Sequence, residues 1–178
     1  SSDVCSSDLD YIISKYGALG ADTFCVLIDE NDETSAGLFS KRCGFRLCSR
    51  EVIWKFSQFD ENMIGVNINY IPYKAKYLKN ITQFYNDCIE PHFRYSIEKE
   101  QNEIKCSLKH KLLKYISLSD NGHISSIFTA EYINKNDILI DITVSKPYEE
   151  FYMQMLTTAI NLVLSKYNPE NILILNRN

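Results

Sequence analysis

Three stretches of this chain carry side chains able to do chemistry. The run Asp29-Glu30-Asn31-Asp32-Glu33 sets four carboxylates around one asparagine. Carboxylates are general bases when they sit within reach of a proton to be taken, although an acidic run after a strand is ordinarily solvated loop. His92, in Glu90-Pro91-His92-Phe93-Arg94-Tyr95, reads as an exposed cap at a helix exit. Lys146, in Val144-Ser145-Lys146-Pro147-Tyr148-Glu149-Glu150, can attract an anion only weakly, because two glutamates follow it. The six cysteines (Cys5, Cys25, Cys43, Cys48, Cys88 and Cys106) have no C-x-x-C spacing. Cys25, Cys43 and Cys88 fall on apolar positions of expected elements, which implies buried free thiols in a reducing, cytoplasmic setting and no metal site.

The elements that must hold these groups follow from periodicity. Thr23-Phe24-Cys25-Val26-Leu27-Ile28 is a short aromatic and β-branched run, expected to be a strand buried on both faces and ending near Asp29. Thr34 or Ser35 can cap a helix with Ala36, Phe39 and Cys43 on one face, and Gly44 supplies a left-handed stop. From Phe45 to Phe56 the pattern returns to strand.

That order of strand, short helix and strand, with Asn31 at the strand end and Gly44-Phe45 after the helix, resembles the C-terminal part of the GNAT-type acyl-CoA N-acyltransferase (acetyltransferase) family over residues 10–57. The resemblance implies acetyl-CoA as cosubstrate. It makes Asn31 a polar contact to the coenzyme arm, with Ala36, Phe39 and Ser40 lining the same groove. Many relatives place a tyrosine acid on this helix; here the matching positions are Leu38, Phe39 and Ser40, so no tyrosine hydroxyl is supplied. The implied reaction is attack of a neutral amine on the thioester. Asp29, Glu30, Asp32 and Glu33 are the base candidates by position, and His92 lies where relatives have an acceptor-binding loop. The catalytic residues themselves stay unassigned.

A second unit follows a linker at 58–63 and runs over 64–178. Gly65–Ile71 alternates as a strand, with Pro72 at its exit. A helix from Lys76 to Glu90 is stopped by Pro91, and another over Gln101–Leu113 buries Ile104, Leu108 and Leu112. Lys114–Ser119 and His123–Ile133 form a hairpin about Asp120-Asn121-Gly122, and Ile138–Val144 is the next strand. Tyr148–Tyr167 is a long helix burying Phe151, Tyr152, Met155, Leu156, Ala159, Leu162 and Val163, and a strand follows it. This order is similar to the N-terminal part of the same family. The expected fold is therefore α+β, an α/β three-layer acyl-CoA N-acyltransferase-like arrangement of tandem incomplete copies with a mixed, mostly antiparallel sheet. A shared Ser-Lys-Tyr, with Lys15 and Lys166 standing 151 positions apart, supports two copies.

The second unit departs from the family where pyrophosphate is held. Relatives use a glycine-containing loop before the long helix, where bare N–H groups meet the phosphates. Here no glycine follows Gly122, Pro147 removes a donor, Tyr148 is bulky, and Glu149 and Glu150 are anionic. The second unit is expected to be noncatalytic. An alternative is an α+β interaction or dimerisation module with no acyltransferase ancestry.

Residues 1–9, with a duplicated Ser-Ser-Asp, carry no amphipathic period and are expected to be a disordered tail or an assembly artefact; the chain looks cut at both ends. Net charge −4 gives no nucleic-acid footprint, and no apolar stretch approaches the roughly 20 residues of a membrane span. A small-molecule or peptide amine acceptor is the expected partner, with no nucleic acid and no membrane. Unpaired strand edges make a homodimer an open option. Residues 22–57 either complete the sheet of 64–176 in permuted order or stay apart from it.

Overall fold

Apolar residues collect so unevenly along the chain that two units of different character result. In the computed structural model, which describes residues 2–56 and 68–177, one unit comprises Ser1–Arg50 with Tyr95–Ile97 and the other Glu51–Arg94 with Glu98–Asn178. Every buried side chain among the described residues lies in the second.

The first unit opens with helix α1, Ser2–Ala18, which includes most of the stretch expected to be a disordered tail or an assembly artefact. Local propensity suffices here; Tyr11 and Tyr16 stay exposed, with the Lys15 ammonium 5.7 and 6.0 Å from their ring centres. The strand expected at Thr23–Ile28 does not form. Among the described residues no strand pairs with it, and Leu27 is 83% exposed. Cys25, expected to be buried, is exposed for the same reason, and Cys43 is half-buried. Helix α2, Glu33–Gly37, is capped by Asp32 rather than by Thr34 or Ser35. A π-helical turn, Leu38–Arg42, prolongs it, and Gly44 ends it at φ +73°, a left-handed conformation that glycine adopts without strain. The strand expected from Phe45 begins only at β1, Glu51–Phe56.

The second unit is a sheet between helices. Its elements are β1, β2 (Tyr70–Pro72), α3 (Leu78–Cys88), the start of α4 (Pro91–Ile97), α5 (Gln101–Lys109), β3 (Leu113–Leu118), β4 (Ile124–Tyr132), β5 (Asp137–Val144), α6 (Tyr152–Leu164) and β6 (Asn171–Arg177). The six strands lie in the order β1-β6-β5-β4-β3-β2, all neighbours antiparallel except β5 and β6. Of the segment 22–57, only β1 joins this sheet, at the edge beside β6. The linker at 58–63 and the start of the strand expected at 65–71 lie outside the described residues.

Period-two alternation sends Tyr115, Phe128, Ala130, Ile138, Ile140, Ile142, Ile172 and Ile174 to one face, against Met155, Leu156, Ala159, Ile160 and Val163 of α6. Ile116, Ile124 and Ile127 point to the other face, against Ile81 and Phe84 of α3 and Ile104 and Leu108 of α5. The result is three layers, helix, sheet and helix, as expected. Each fully buried isoleucine contributes about 2 kcal/mol of apolar transfer. The hairpin turns where Asn121-Gly122 predicts it, with Gly122 at φ +76° and its N–H donating to the Ser119 carbonyl at 2.8 Å.

Three expectations shift. α5 ends at Lys109, so Leu112 is not on a helix. The segment after Val144 is first a 3₁₀ helix, Lys146–Phe151, which leaves Phe151 exposed. Pro91 stops α3 as expected but also opens α4 at its first turn, where a missing N–H costs nothing.

Candidate functional site

In the first unit the four coenzyme-contact candidates sit close in sequence, around α2. Asn31 is exposed; its backbone N–H and side-chain amide both donate to Asp29 Oδ1, at 2.9 and 3.2 Å. Ala36 and Ser40 are exposed, and the Ser40 hydroxyl donates to the Ala36 carbonyl at 2.6 Å. Phe39 is half-buried against Phe45, edge to face with ring centres 5.3 Å apart. Of the four carboxylates, Asp32 is committed to capping, accepting the Ser35 N–H at 3.0 Å. Hydrogen bonding from Ser35, side chain and backbone, holds its carboxyl below the usual carboxylate range, which makes it a weak base. Arg50 approaches Glu30 at 4.0 Å on the exposed surface.

The second unit offers a different geometry. β5 and β6, the parallel pair, pair from Asp137–Asn171 to Asp141–Leu175. Beyond that point β5 runs on to Val144 beside β4, and β6 to Arg177 beside β1, without pairing to each other. A wedge therefore opens at the carboxyl ends of two parallel strands, the place where open α/β sheets take ligands. Asp141 marks its vertex. It lies on the face away from α6, since Ile138, Ile140 and Ile142 take the α6 face. Sequence reasoning passed over Asp141, and the available signal was a lone carboxylate within Ile138-Leu139-Ile140-Asp141-Ile142.

Polar groups gather on the α6 side near this wedge. The Tyr70 hydroxyl and Ser126 Oγ are 2.8 Å apart and buried. Burial pushes the Tyr70 phenol well above the ordinary tyrosine range, with the Ser126 hydrogen bond opposing. Burial, then the charge of Asp141, raises Tyr152 as well. The Tyr152 hydroxyl and Gln154 Oε1 are buried without a hydrogen-bond partner among the described residues.

The segment after β5 is built for structure. The Ser145 N–H donates to the Ser125 carbonyl at 3.0 Å and the Tyr148 N–H to the Ser145 carbonyl at 2.8 Å, while Pro147 has no N–H. The Lys146 ammonium is held by Glu90 at 2.7 Å, which raises its pKa. An open cleft of about 450 Å³ lies between this segment and α3, lined by Lys79, Gln83, Asp87, Cys88, His123 and Lys146 among others. Among the described residues no group of three metal-ligating side chains occurs, and no helix is long and apolar enough to cross a membrane.

No protein-family model matches the chain, and no curated protein matches it in sequence. Solved structures do match in fold. A GCN5-related N-acetyltransferase from Sphaerobacter thermophilus aligns at TM-score 0.56 and 9% identity over 85% of this chain and 49% of that one. A conserved protein of unknown function from Staphylococcus epidermidis aligns at TM-score 0.52 and 9% identity, over 84% and 59%. A GNAT-family acetyltransferase from Staphylococcus aureus Mu50 aligns at 0.45 and 14%, over 55% and 65%. The alignments to the Sphaerobacter thermophilus and Staphylococcus epidermidis structures give the chain a GNAT acyl-CoA N-acyltransferase-like fold, and it spans about half to 59% of their lengths.

Proposed function

We propose that the chain is part of an N-acetyltransferase that moves an acetyl group from acetyl-CoA to a small-molecule or peptide amine, and that residues 64–178 form a noncatalytic supporting unit of it. The observation that carries the second clause is the segment after β5: its amides at Ser145 and Tyr148 are spent on carbonyls, Pro147 offers none, and Lys146 is tied to Glu90. A pyrophosphate needs several converging N–H donors, and here two are already bonded and Pro147 supplies none. In this reading Asn31, Ala36, Phe39 and Ser40 are the coenzyme contacts. Asp29, Glu30, Asp32 and Glu33 are the base candidates by position; Asp29 already accepts from Asn31, Asp32 from Ser35, and Glu30 lies near Arg50. Catalysis would rest on positioning the amine against the thioester and on polarising its carbonyl.

A second reading is favoured by one observation, the wedge between β5 and β6 with Asp141 at its vertex. There the second unit would take the thioester arm between its own strands, and Asp141 would be the base. Calorimetric titration of acetyl-CoA into this chain and into a chain extended upstream separates the two. Binding by the extended chain alone supports the first reading. Binding by both, abolished by Asp141→Lys or by a bulky substitution at Thr143, replaces it with the second, and binding by neither overturns both.

A further inference from the structure

The chain contains a single Asn-Gly step, Asn121-Gly122, and it stands at the tip of the hairpin joining β3 to β4. Asp120, Asn121, Gly122 and His123 are all exposed. The Gly122 N–H donates to the Ser119 carbonyl and the Ser119 N–H to the His123 carbonyl, each at 2.8 Å, with Gly122 at φ +76°. This is a type I turn closed by a glycine in the left-handed region. A Cβ added at Gly122 would meet no atom within 4 Å, so nothing crowds this residue.

We propose that Asn121 is a site of spontaneous deamidation, gated by opening of the hydrogen-bonded turn around it. The Gly122 backbone nitrogen, after losing its proton to hydroxide, forms a bond to the Asn121 side-chain carbonyl carbon. The bond from that carbon to the amide nitrogen breaks, and the nitrogen leaves as ammonia after taking a proton from water, which returns the hydroxide. The resulting succinimide adds water and opens at either carbonyl, giving aspartate or isoaspartate at 121. Glycine permits the attack because it has no side chain to shield the nitrogen. Other asparagines are placed differently. The Asn86 amide is buried and bonded to both the carbonyl and the N–H of Lys99, while Asn134 and Asn171 donate to Asp137 and precede lysine and isoleucine. The turn restrains the reaction, because the Gly122 proton to be removed is the one given to Ser119. Reaction therefore waits for that bond to open, and exposed loop tips open most readily. Isoaspartate adds a methylene to the main chain inside a loop closed by the bond between Ser119 and His123. Ile124, 9% exposed and packed with side chains of α3 and α5, follows directly, so the product should loosen that end of the hairpin.

The test incubates the full chain at mildly alkaline pH, with and without urea, and maps the peptides by mass spectrometry with separation of aspartyl from isoaspartyl forms. Both forms should accumulate at 121 in the native chain, and Asn121→Ser should abolish them. Unfolding in urea should speed their formation several-fold to about tenfold, since Ser119 then no longer holds the Gly122 proton. Asn121→Asp supplies the product charge without the added methylene. The isoaspartyl chain should unfold at lower urea than this variant, followed by fluorescence of Trp54, the sole tryptophan. A native chain that stays unmodified at 121, equal rates in the native and unfolded chains, or modification chiefly at another asparagine would each overturn the proposal. Aspartate without isoaspartate would also overturn it, by showing direct hydrolysis in place of the succinimide. An isoaspartyl chain as stable as Asn121→Asp would overturn the effect on the hairpin.

Discussion

Thr23–Ile28 and Ile138–Val144 are nearly interchangeable as sequences, short apolar runs rich in isoleucine, valine and threonine, yet only the second is a strand. Ile138–Val144 lies between β4 and β6, so its backbone groups are paired along both edges and Ile138, Ile140 and Ile142 are buried. Among the described residues no strand pairs with Thr23–Ile28, and its leucine and valine face water. β-propensity measures how well a side chain fits a pleated, half-buried surface. Without the surface it decides nothing.

The sharpest way to break this contrast is to truncate both segments. Ile140→Ala removes a side chain with no exposure and should cost about 2–5 kcal/mol, whereas Val26→Ala should fall within about 0.5 kcal/mol. Urea unfolding followed by Trp54 fluorescence reads the second unit, and far-UV circular dichroism reads both. An equal loss for Val26→Ala would show that its side chain is as well packed as that of Ile140.

Cysteines mark the same contrast chemically. Cys25 sits on the exposed segment, while burial first, then the charges of Asp87 and Glu149, pushes the half-buried Cys88 thiol up to about 11. Near pH 8 the native Cys88 thiolate fraction is therefore lower on the order of a hundredfold than in unfolded chain. Iodoacetamide labelling followed by peptide mass spectrometry should show Cys88 slowed by tens of fold or more in the native state, and Cys25 little changed. A raised thiol pKa also fixes a sign: the stability it contributes is complete below the unfolded value near 9 and is lost as pH climbs toward 11. Equal protection of both cysteines would remove the distinction.

A smaller effect comes from the paired hydroxyls under α6. Tyr70→Phe leaves Ser126 Oγ buried without its partner and should cost about 1–2 kcal/mol in the same unfolding assay. Adding Ser126→Ala should recover part of that loss, because the orphaned acceptor is then gone.

Much of the second unit was legible because its signals are local. Asn121-Gly122 sets the hairpin, Ile138–Val144 differs from the observed strand by one residue, and the apolar spacing from Met155 to Val163 places α6. What was illegible depends on partners distant in sequence. Nothing near Glu51–Phe56 announces that it will lie beside Asn171–Arg177, and nothing near Thr23 announces that no strand among the described residues will pair with it. Lys15 and Lys166 both lie at helix ends, but a strand follows only the second. The wedge was missed for a related reason: it is defined by where β5 and β6 stop pairing, which a list of elements does not contain.

The smallest effect belongs to α2, and it tests whether the first unit is specified locally. With no buried side chains of its own, this short helix depends on its cap: Asp32 accepts the Ser35 N–H at 3.0 Å. The carboxyl's pKa is lowered by Ser35, so its contribution is present above the ordinary carboxylate value of 3.8 and lost as pH falls through the lowered one. The Ser35 amide resonance should therefore titrate in acid in the wild type. Asp32→Asn, an equally good cap, should hold the helix without titrating, and Asp32→Ala should lose it at every pH. If the Ser35 amide is indifferent to all three, α2 is held by tertiary contacts, and the contrast between a locally specified unit and a partner-specified one fails where it is most exposed.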